Sequence, residues 1–503
     1  MSPSFRLAIL WGVAFLVGEA RAADSPSRPN VLFIAVDDLK PTIGCYGDTH
    51  ARTPHIDRLA SRGALFERAY CMQAVCAPSR NGVLTGLRPQ TLRIYELSTN
   101  FRQSVPEVVT LPQHFKQLGW KTEALGKLFH VGHGNHEDPV SWSVPHWKAK
   151  SIGYALPENK AQPTREEARF DNQNPRDLPR GAPFENADVP DNAYGDGKIA
   201  DEAILRLQAA KQNPDQPFFL ALGFLKPHLP FCAPKKYWDL HDPSQLPMPT
   251  RSTPPEGAPP FAPQFGGELR QYSDIPESGP LDEAKARQLI HGYYAATSYM
   301  DAQLGRVLEA LDELQLTGNT IIVLWGDHGW HLGDHGMWCK HTNYEQATHA
   351  PLIIAAPGKP VGRRTTTITE FVDIYPTLCD LAGVEKPFHL QGESLVKVME
   401  QDSPSAPEQS AFQVYPRSNK EHGPMLGQAL RTDRYRYVEW QKRDGSVAAR
   451  ELYDMQNDPG ETVNQADNPE FAEVVKTHSA MIATQQAKPH PVGLKLLPRP
   501  TDQ

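Results

Sequence analysis

The chain has 503 residues, with 51 Lys and Arg against 59 Asp and Glu, which gives a formal net charge of −8. This acidic balance provides no basic surface for nucleic acid, so we expect no nucleic-acid partner. The length exceeds one ordinary core and predicts one large α/β domain with a smaller appendage.

The first 22 residues have the pattern of a cleavable secretory signal. Arg6 precedes an apolar run over Leu7–Val17, and the small residues Ala20 and Ala22 follow. This run is shorter than the ~20 residues of a membrane-spanning helix, and no later segment is long and apolar enough to span a membrane. We expect residues 1–22 to be removed and the mature protein to be secreted or periplasmic.

Several short apolar runs, continuous and flanked by turn residues, predict strands that are buried on both faces of a largely parallel sheet. Helical patterns lie between them. The first starts at Thr53-Pro54 and runs to Gly63, and the clearest covers Leu289–Leu314 with a 3.6-residue period. This alternation predicts a doubly wound α/β fold with a mostly parallel central sheet flanked by helices. The predicted strands are Val31–Val36, Thr122–Leu125, Phe218–Phe224, Thr320–Trp325 and Leu352–Ala355.

Two stretches depart from this pattern. Residues 132–195 are polar, and residues 243–280 are rich in Pro; loops of this length inside a domain are usually functional excursions. Toward the C-terminus, short alternating strand patterns precede a helix near Glu470–Gln485. We therefore predict a large α/β domain over residues 23–420 and a small α+β subdomain with an antiparallel sheet over residues 421–503.

Acidic residues directly follow two of the predicted strands. Asp37 and Asp38 come after the first strand, and Asp327 precedes His328 after a later one. Because ligands of open α/β sheets bind beyond the carboxyl ends of the strands, we expect these groups to converge. Three carboxylates in one place repel one another unless a cation lies between them, so the pattern predicts a metal site. Oxygen ligands favour Ca²⁺ or Mg²⁺, and the imidazole leaves Mn²⁺ or Zn²⁺ open.

Basic residues occupy further positions of the same kind. Lys127 and His130 follow one predicted strand, and His228 follows another. The ammonium groups of Lys127 and Lys340 suit a tetrahedral oxyanion such as sulfate or phosphate. His130 and His228 are candidates for general base and general acid, because imidazole titrates near neutral pH. Taken singly, such lysines and histidines are more often surface or structural residues, and an Asp pair is more often a turn or a helix cap.

The six cysteines include no CxxC pair and are too few for a dense disulfide framework. In an oxidising compartment they predict one to three disulfides. A bridge between Cys71 and Cys76 would exclude a functional role for Cys76.

The stretch CAPSRNGVLTG at residues 76–86 resembles a known signature. Its Cys76, Pro78, Arg80, Thr85 and Gly86 have the spacing found in the type I sulfatases of the alkaline-phosphatase superfamily. The resemblance extends over nearly the whole mature chain and narrows to the iduronate-2-sulfatase branch. The stretches that carry it include Gly126-Lys127-Leu128-Phe129-His130, Lys226-Pro227-His228 and Gly326-Asp327-His328-Gly329-Trp330.

This resemblance implies that Cys76 is converted to Cα-formylglycine by a maturation enzyme that reads the signature. A hydroxyl of the hydrated aldehyde, oriented by Arg80, then attacks sulfur in a sulfated oligosaccharide. His228 protonates the departing sugar oxygen, and His130 takes the proton whose loss expels sulfate. The implied ligands of one Ca²⁺ are Asp37, Asp38, the oxidised side chain at 76, Asp327 and His328, and the implied sulfate-binding groups are Lys127, Lys340 and His228.

Other functions remain open at this point. Phosphonate monoester and phosphodiester hydrolases share the fold and the signature, and a non-catalytic protein that binds sulfated glycans is a further alternative. The residues around the sugar are the least certain. Aromatic and imidazole side chains near the strand ends either line a sugar subsite or pack inside the protein; they are Trp330, His331, Trp338 and His349.

Overall fold

The computed structural model describes residues 28–149, 153–160, 178–400, 409–491 and 493–497. The predicted signal at residues 1–22 lies outside the described residues, as does part of the 132–195 excursion. The strands in chain order are β1 (Asn30–Val36), β2 (Ala64–Phe66), β3 (Ala69–Tyr70), β4 (Lys121–Gly126), β5 (Phe184–Glu185), β6 (Phe218–Phe224), β7 (Phe231–Cys232), β8 (Thr320–Gly326), β9 (Leu352–Ala355), β10 (Arg363–Thr365), β11 (Thr369–Glu370), β12 (Ala411–Asn419), β13 (Gly423–Arg431), β14 (Tyr435–Lys442) and β15 (Val447–Asp454).

The central sheet has seven strands in the order β10-β2-β9-β8-β1-β6-β4. The middle of the sheet is parallel, because β1 pairs in parallel with both β6 and β8, and β4 pairs in parallel with β6. Only β9 runs against its neighbours β2 and β8. All of the strands predicted from apolar runs lie in this sheet, which confirms the predicted fold class.

The two faces of the sheet belong to different apolar clusters. On β1, Val31, Phe33 and Ala35 pack into one cluster, while the intervening residues Leu32 and Ile34 pack into the other. A strand whose side chains are buried on both faces has no polar alternation, which is why these runs are continuous in the sequence.

Helices cover both faces of the sheet. The first helix begins at Pro54, directly after Thr53 as predicted. The longest begins at Glu283, more than one turn before the apolar period at Leu289, because the Asp282 carboxylate caps it by accepting from Lys285 N at 2.7 Å. The helices are α1 (Pro54–Ser61), α2 (Cys76–Thr85), α3 (Pro89–Leu92), α4 (Leu111–Gln117), α5 (Pro157–Lys160), α6 (Gly195–Lys211), α7 (Lys235–Trp238), α8 (Glu283–Glu313), α9 (Glu345–Thr348), α10 (Ile374–Ala382), α11 (Val396–Glu400) and α12 (Ala472–Gln486).

The C-terminal part forms a second sheet of four antiparallel strands in the order β12-β13-β14-β15. Helix α12 packs on it through Ile482, which shares an apolar cluster with Phe412 and Leu430. The predicted antiparallel subdomain with its terminal helix is therefore present. The sheet begins at Ala411, and the division of the chain at residue 420 stays a prediction.

The cysteines are all free thiols. Cys71 and Cys76 are both buried and unbridged, and the other four cysteines are free as well. The expectation of one to three disulfides is therefore wrong, and the Cys71–Cys76 bridge that the sequence left open is not formed. Five of the six thiols are buried at separate places in the fold, and Cys45 is half-buried. Among the helices of the described ranges, none combines the length and the hydropathy needed to cross a bilayer.

Candidate active site

The acidic residues that follow β1 and β8 meet at the carboxyl edge of the central sheet. The parallel pairing continues past the strand ends, since Asp37 N donates to Phe224 O at 3.2 Å and Asp327 N donates to Val36 O at 3.1 Å. Asp38 N donates to Asp327 Oδ1 at 3.0 Å. All three aspartates are buried. The predicted convergence of Asp37, Asp38 and Asp327 is confirmed.

Arg80 clamps two of these carboxylates from helix α2. Its Nε donates to Asp327 Oδ2 at 2.8 Å and its Nη2 donates to Asp37 Oδ1 at 3.0 Å. The remaining N–H groups donate to the backbone carbonyls of Lys127 and Leu128. The guanidinium is fully buried, so its rigid fork fixes both carboxylates in one geometry.

Cys76 is the first residue of α2 and faces the same cluster. Its Sγ lies 3.3 Å from His328 Nε2 and 3.7 Å from Lys127 Nζ. Burial raises the pKa of the Cys76 thiol to about 12, against the pull of Lys127 and Lys340. A thiol with this pKa stays protonated at neutral pH and is a poor nucleophile.

The donor set fits a divalent cation. Ligand atoms of Asp38, Cys76 and His328 lie within 4.8 Å of one another, as do those of Asp37, Cys76 and Asp327. Burial raises the pKa of Asp38 well above its ordinary value, and the charge of Asp37 adds to the shift, although Lys340 opposes it. This corner of the site is therefore short of positive charge. Hard oxygen donors of this kind suit Ca²⁺ or Mg²⁺.

Asp37 has the opposite balance. Burial disfavours its ionised form, yet Lys127, His228 and Arg80 together hold its pKa well below the ordinary value. Lys127 Nζ donates to Asp37 Oδ2 at 2.5 Å. The two adjacent aspartates therefore differ: protein cations favour the ionised form of Asp37, whereas Lys340 only partly offsets the burial that disfavours the ionised form of Asp38.

Lys340 and His228 form the far side of the cluster. Lys340 Nζ donates to Asp38 Oδ1 at 3.0 Å and lies 5.0 Å from the centroid of the Trp330 ring. His228 Nε2 is 3.9 Å from Asp38 Oδ2, and its Nδ1 is 2.6 Å from Leu229 O. Both predicted sulfate-binding residues thus lie within reach of the carboxylates.

Glu268 is a site residue that the sequence did not reveal. It comes from the Pro-rich excursion at 243–280 and joins two predicted residues, with Oε2 2.9 Å from Lys340 Nζ and Oε1 3.0 Å from His228 Nε2. A single glutamate in a polar loop carries no pattern of spacing. The one related signal in the sequence was that its partner His228 follows a predicted strand.

The protonation of His228 reflects two opposing influences. Burial lowers its pKa to about 4, and the Glu268 charge opposes that shift. Its Nδ1 lies 2.6 Å from Leu229 O, and its Nε2 lies 3.0 Å from Glu268 Oε1. The negative charge of Glu268 beside Nε2 favours the protonated ring and opposes the effect of burial.

His130 lies at the same edge of the sheet but farther along the chain from β4. Its Nε2 is 3.1 Å from His133 Nδ1. Burial lowers its pKa well below the ordinary value, and the nearby charge of Lys127 lowers it further. A neutral imidazole beside Lys127 is able to accept a proton, which is the role predicted for it.

The four residues predicted for the sugar subsite all make packing contacts. His331 Nε2 is 2.9 Å from Thr342 Oγ1, and His349 Nε2 is 2.8 Å from Glu67 O. Trp330 and Trp338 belong to one apolar cluster, and Trp330 also lies beside Lys340. These contacts favour the packing alternative, and a role in sugar binding stays a prediction.

The end of the 76–86 signature also has a structural role. Thr85 Oγ1 donates to Asn81 O at 2.6 Å, and Gly86 caps α2 with φ of 69° while its N–H donates to Gly82 O. The left-handed backbone at Gly86 favours glycine, and a Cβ there would also lie 2.3 Å from Leu390 Cδ2. Pro78 is buried with the rest of the helix.

Comparison with known proteins identifies the class. Residues 29–384 match the family model described as Sulfatase, and residues 333–488 match one described as N-sulphoglucosamine sulphohydrolase, C-terminal. The chain belongs to the sulfatase family. It is accordingly a sulfuric ester hydrolase.

The particular likeness is to iduronate 2-sulfatases. The chain is 35% identical to the iduronate 2-sulfatase of Homo sapiens, with 90% of this chain and 94% of that protein covered. It is 26% identical to a delta 4,5-hexuronate-2-O-sulfatase of Bacteroides thetaiotaomicron, with 92% and 89% covered. The fold is shared with the phosphonate monoester hydrolase of Agrobacterium radiobacter, with a TM-score of 0.72, 24% identity and coverage of 92% and 96%.

Proposed function

We propose that this sulfatase removes the sulfate from position 2 of an iduronate or a related uronate, in fragments of glycosaminoglycan or another sulfated polysaccharide. The similarity to iduronate and hexuronate 2-sulfatases over most of the chain supports this substrate class. The observation that carries the proposal is the position of Cys76, whose Sγ lies between His328 and Lys127 beside the buried carboxylates.

The side chain proposed at position 76 is Cα-formylglycine, formed by a maturation enzyme that reads the Cys76, Pro78 and Arg80 signature. When present, its hydrated aldehyde supplies a hydroxyl nucleophile and a second hydroxyl through which sulfate leaves. Because every residue of α2 is buried, an enzyme has no access to Cys76 in the folded chain. We therefore expect the modification to precede folding.

The cation proposed for the site is one Ca²⁺, with Asp37, Asp38, Asp327, His328 and the oxidised residue 76 as its ligands. A bound divalent ion supplies positive charge to sulfate oxygens and lowers the pKa of a coordinated hydroxyl. Arg80 contributes by holding Asp37 and Asp327 in a fixed geometry.

The chain's own basic groups would complete the reaction. Lys127, Lys340 and His228 bind the sulfate oxygens and offset the charge of the transition state. His228 Nε2 donates a proton to the departing sugar oxygen. His130 accepts the proton that is released as sulfate leaves, in keeping with the low pKa that burial gives it.

Sulfate is favoured over the alternatives by particular residues. The likeness to a phosphonate monoester hydrolase is below 25% identity and concerns the fold alone. The Lys127, His130, His228 and His328 set follows the iduronate-2-sulfatase branch. A non-catalytic glycan-binding protein is disfavoured because each position implied for metal, nucleophile and sulfate is filled.

We also propose that the protein is secreted or periplasmic, on the pattern of residues 1–22.

The Cys76→Ser variant tests the nucleophile. Serine lacks the second hydroxyl needed to release sulfate, so we expect a folded protein whose multiple turnover is lower by roughly 10³-fold or more. Sulfate release is measured on the matured wild type, the variant, and a Cys45→Ser control outside the site. In parallel, the mass of the tryptic peptide that ends at Arg80 should show the aldehyde in wild type. Normal turnover by Cys76→Ser, or an unmodified thiol in active enzyme, would overturn the proposal.

A further inference from the structure

Lys226 is the member of the Lys226-Pro227-His228 stretch for which the proposed reaction has no role. It follows β6 as His228 does, and its position near the carboxylates makes it look like a third sulfate-binding lysine. Its hydrogen bonds lead elsewhere. Lys226 Nζ donates to His228 O at 2.7 Å and to Pro230 O at 2.5 Å.

The turn over residues 225–230 is held from both sides. Asp196, in the first turn of α6, accepts from Leu225 N at 2.7 Å and from Lys226 N at 3.0 Å. The ammonium of Lys226 then binds two carbonyls farther along the same turn. These four hydrogen bonds fix the backbone on both sides of His228.

The burial of the Lys226 ammonium group costs free energy, which indicates that this side chain has a specific role. Lys226 and Asp196 are both buried, and removing an ammonium group from water has a large desolvation cost. Two carbonyl acceptors and the nearby charges of Asp196 and Asp37 offset this only in part, since burial still lowers the pKa of Lys226 below its ordinary value. An apolar side chain would fill the space at lower cost, so the ammonium has a task that packing does not explain.

We propose that Lys226 is a positioning residue, which acts through His228 by holding the turn that aims the His228 ring at the departing oxygen. His228 Nδ1 contacts Leu229 O within that turn, so the ring orientation is tied to the same backbone. A shift of the turn would move Nε2 away from Glu268 and from the leaving group together. Lys226 itself binds no sulfate oxygen.

The proposal rests on the proposed role of His228 as general acid. General acid catalysis matters most for leaving groups of high pKa, so its loss steepens the dependence of rate on leaving-group pKa. The test uses the matured enzyme and a series of aryl sulfates whose phenols span several pKa units. This series does not depend on which sugar is the substrate.

We expect Lys226→Met to lower kcat roughly 10-fold to 100-fold on the poorest leaving group and only slightly on nitrophenyl sulfate. His228→Ala should steepen the same plot more strongly. The double variant Lys226→Met/His228→Ala should match His228→Ala alone, because residues that act as a unit are not additive. Lys235→Met, at an exposed lysine of the neighbouring helix α7, is the matched control and should leave the slope unchanged.

A second measurement separates positioning from sulfate binding and from misfolding. The dissociation constant of inorganic sulfate, measured by calorimetry, should agree within about threefold between Lys226→Met/His228→Ala and His228→Ala, whereas direct sulfate contact by Lys226 predicts a further loss of tenfold or more in the double variant. Such a further loss of sulfate binding, an equal loss on all aryl sulfates, or losses that add to those of His228→Ala would each overturn the proposal. If His228→Ala itself fails to steepen the plot, the general-acid role is wrong instead.

Discussion

At position 80 the chain needs a side chain that binds two carboxylates and two carbonyls at once. The Arg80 guanidinium does so from inside the core, with Asp327 on Nε and Asp37 on Nη2. Lysine has no such fork, and its compact ammonium would leave one carboxylate unpaired. Arg80 therefore fixes the positions of Asp37 and Asp327, and Lys127 and Lys340 are the cations proposed to bind the substrate.

The incomplete compensation of the Asp38 carboxylate by protein cations leads to a prediction about the proposed metal ion. In wild type, removal of divalent ions by chelation should lower the thermal unfolding midpoint, and added Ca²⁺ should restore it as binding to the native state stabilises by mass action. Asp38→Asn removes one of the proposed ligands, so its midpoint should respond little to Ca²⁺. Differential scanning fluorimetry across a Ca²⁺ titration measures both.

The matched control is Asp334→Asn, because Asp334 pairs with Lys40 and belongs to none of the candidate metal groups. Its midpoint should rise with Ca²⁺ as that of wild type does. An equal response of Asp38→Asn and wild type would remove Asp38 from the ligand set.

Among the elements, the ends of parallel strands and the start of one helix define the site. β1, β8, β6 and β4 each deliver residues to the same edge, and α2 points Cys76 at them. Contacts between the surrounding helices support these strands and α2. Helix α8 reaches the start of α1, where Asp301 Oδ1 accepts from Ile56 N at 2.8 Å and Oδ2 accepts from His55 N at 3.2 Å.

This buried helix contact gives a pH-dependent stability. Burial raises the pKa of Asp301 from 3.8 to about 7. The folded state thus holds this proton more tightly than the unfolded state does, and the contribution of Asp301 to stability is lost as pH rises from about 4 to 7. Asparagine does not ionise, so the stability of Asp301→Asn does not depend on this proton. Its free energy of unfolding, relative to that of wild type, should therefore increase over this range by at most about 4 kcal/mol.

Urea unfolding midpoints at pH 4.5 and pH 7.5 measure this difference. Asp312→Asn, on the same helix, is the control: hydrogen bonds from Thr317 and Arg62 outweigh burial and hold the pKa of Asp312 below 3.8, so its difference from wild type should change little between those pH values. If the urea midpoints of Asp301→Asn and wild type differ by the same amount at both pH values, the raised pKa of Asp301 is refuted.

The sequence predicted these elements to different degrees. Strands buried on both faces show as continuous apolar runs, and all those predicted lie in the central sheet. The short strands β2 and β10 were not predicted, because three-residue segments are too short to show a measurable period. The start of α8 was missed because its first turns are polar and its cap, Asp282, is a local signal with many false matches.

Over the whole molecule, the C-terminal sheet and the Pro-rich excursion close around the catalytic sheet. Arg436, fully buried on β14, donates through Nη2 to Glu345 Oε2 and through Nη1 to Asn343 O. Arg417 on β12 donates to Phe261 O at 2.7 Å, which ties the excursion to the second sheet. The excursion in turn places Glu268 against Lys340 and His228.

At this scale the sequence predicted the least. The convergence of Asp37, Asp38 and Asp327 was predicted because the carboxyl ends of parallel strands meet at one edge of a sheet, whereas Cys76 was predicted from the resemblance of its signature. Glu268 depends on how a long loop folds back, and the packing of Trp338 and His349 depends on neighbours that are distant in sequence. Contacts of this kind join residues that are far apart in the sequence, so they produce no pattern of spacing from which they could be predicted.

The proposed substrate is tested most directly by sulfate release from two matched disaccharides. One carries a single sulfate at position 2 of a terminal iduronate, and the other carries it at position 6 of the neighbouring glucosamine. The matured wild-type enzyme should release inorganic sulfate from the first and leave the second intact. Release from the second at an equal or higher rate, or faster hydrolysis of a phosphonate ester, would contradict the assignment.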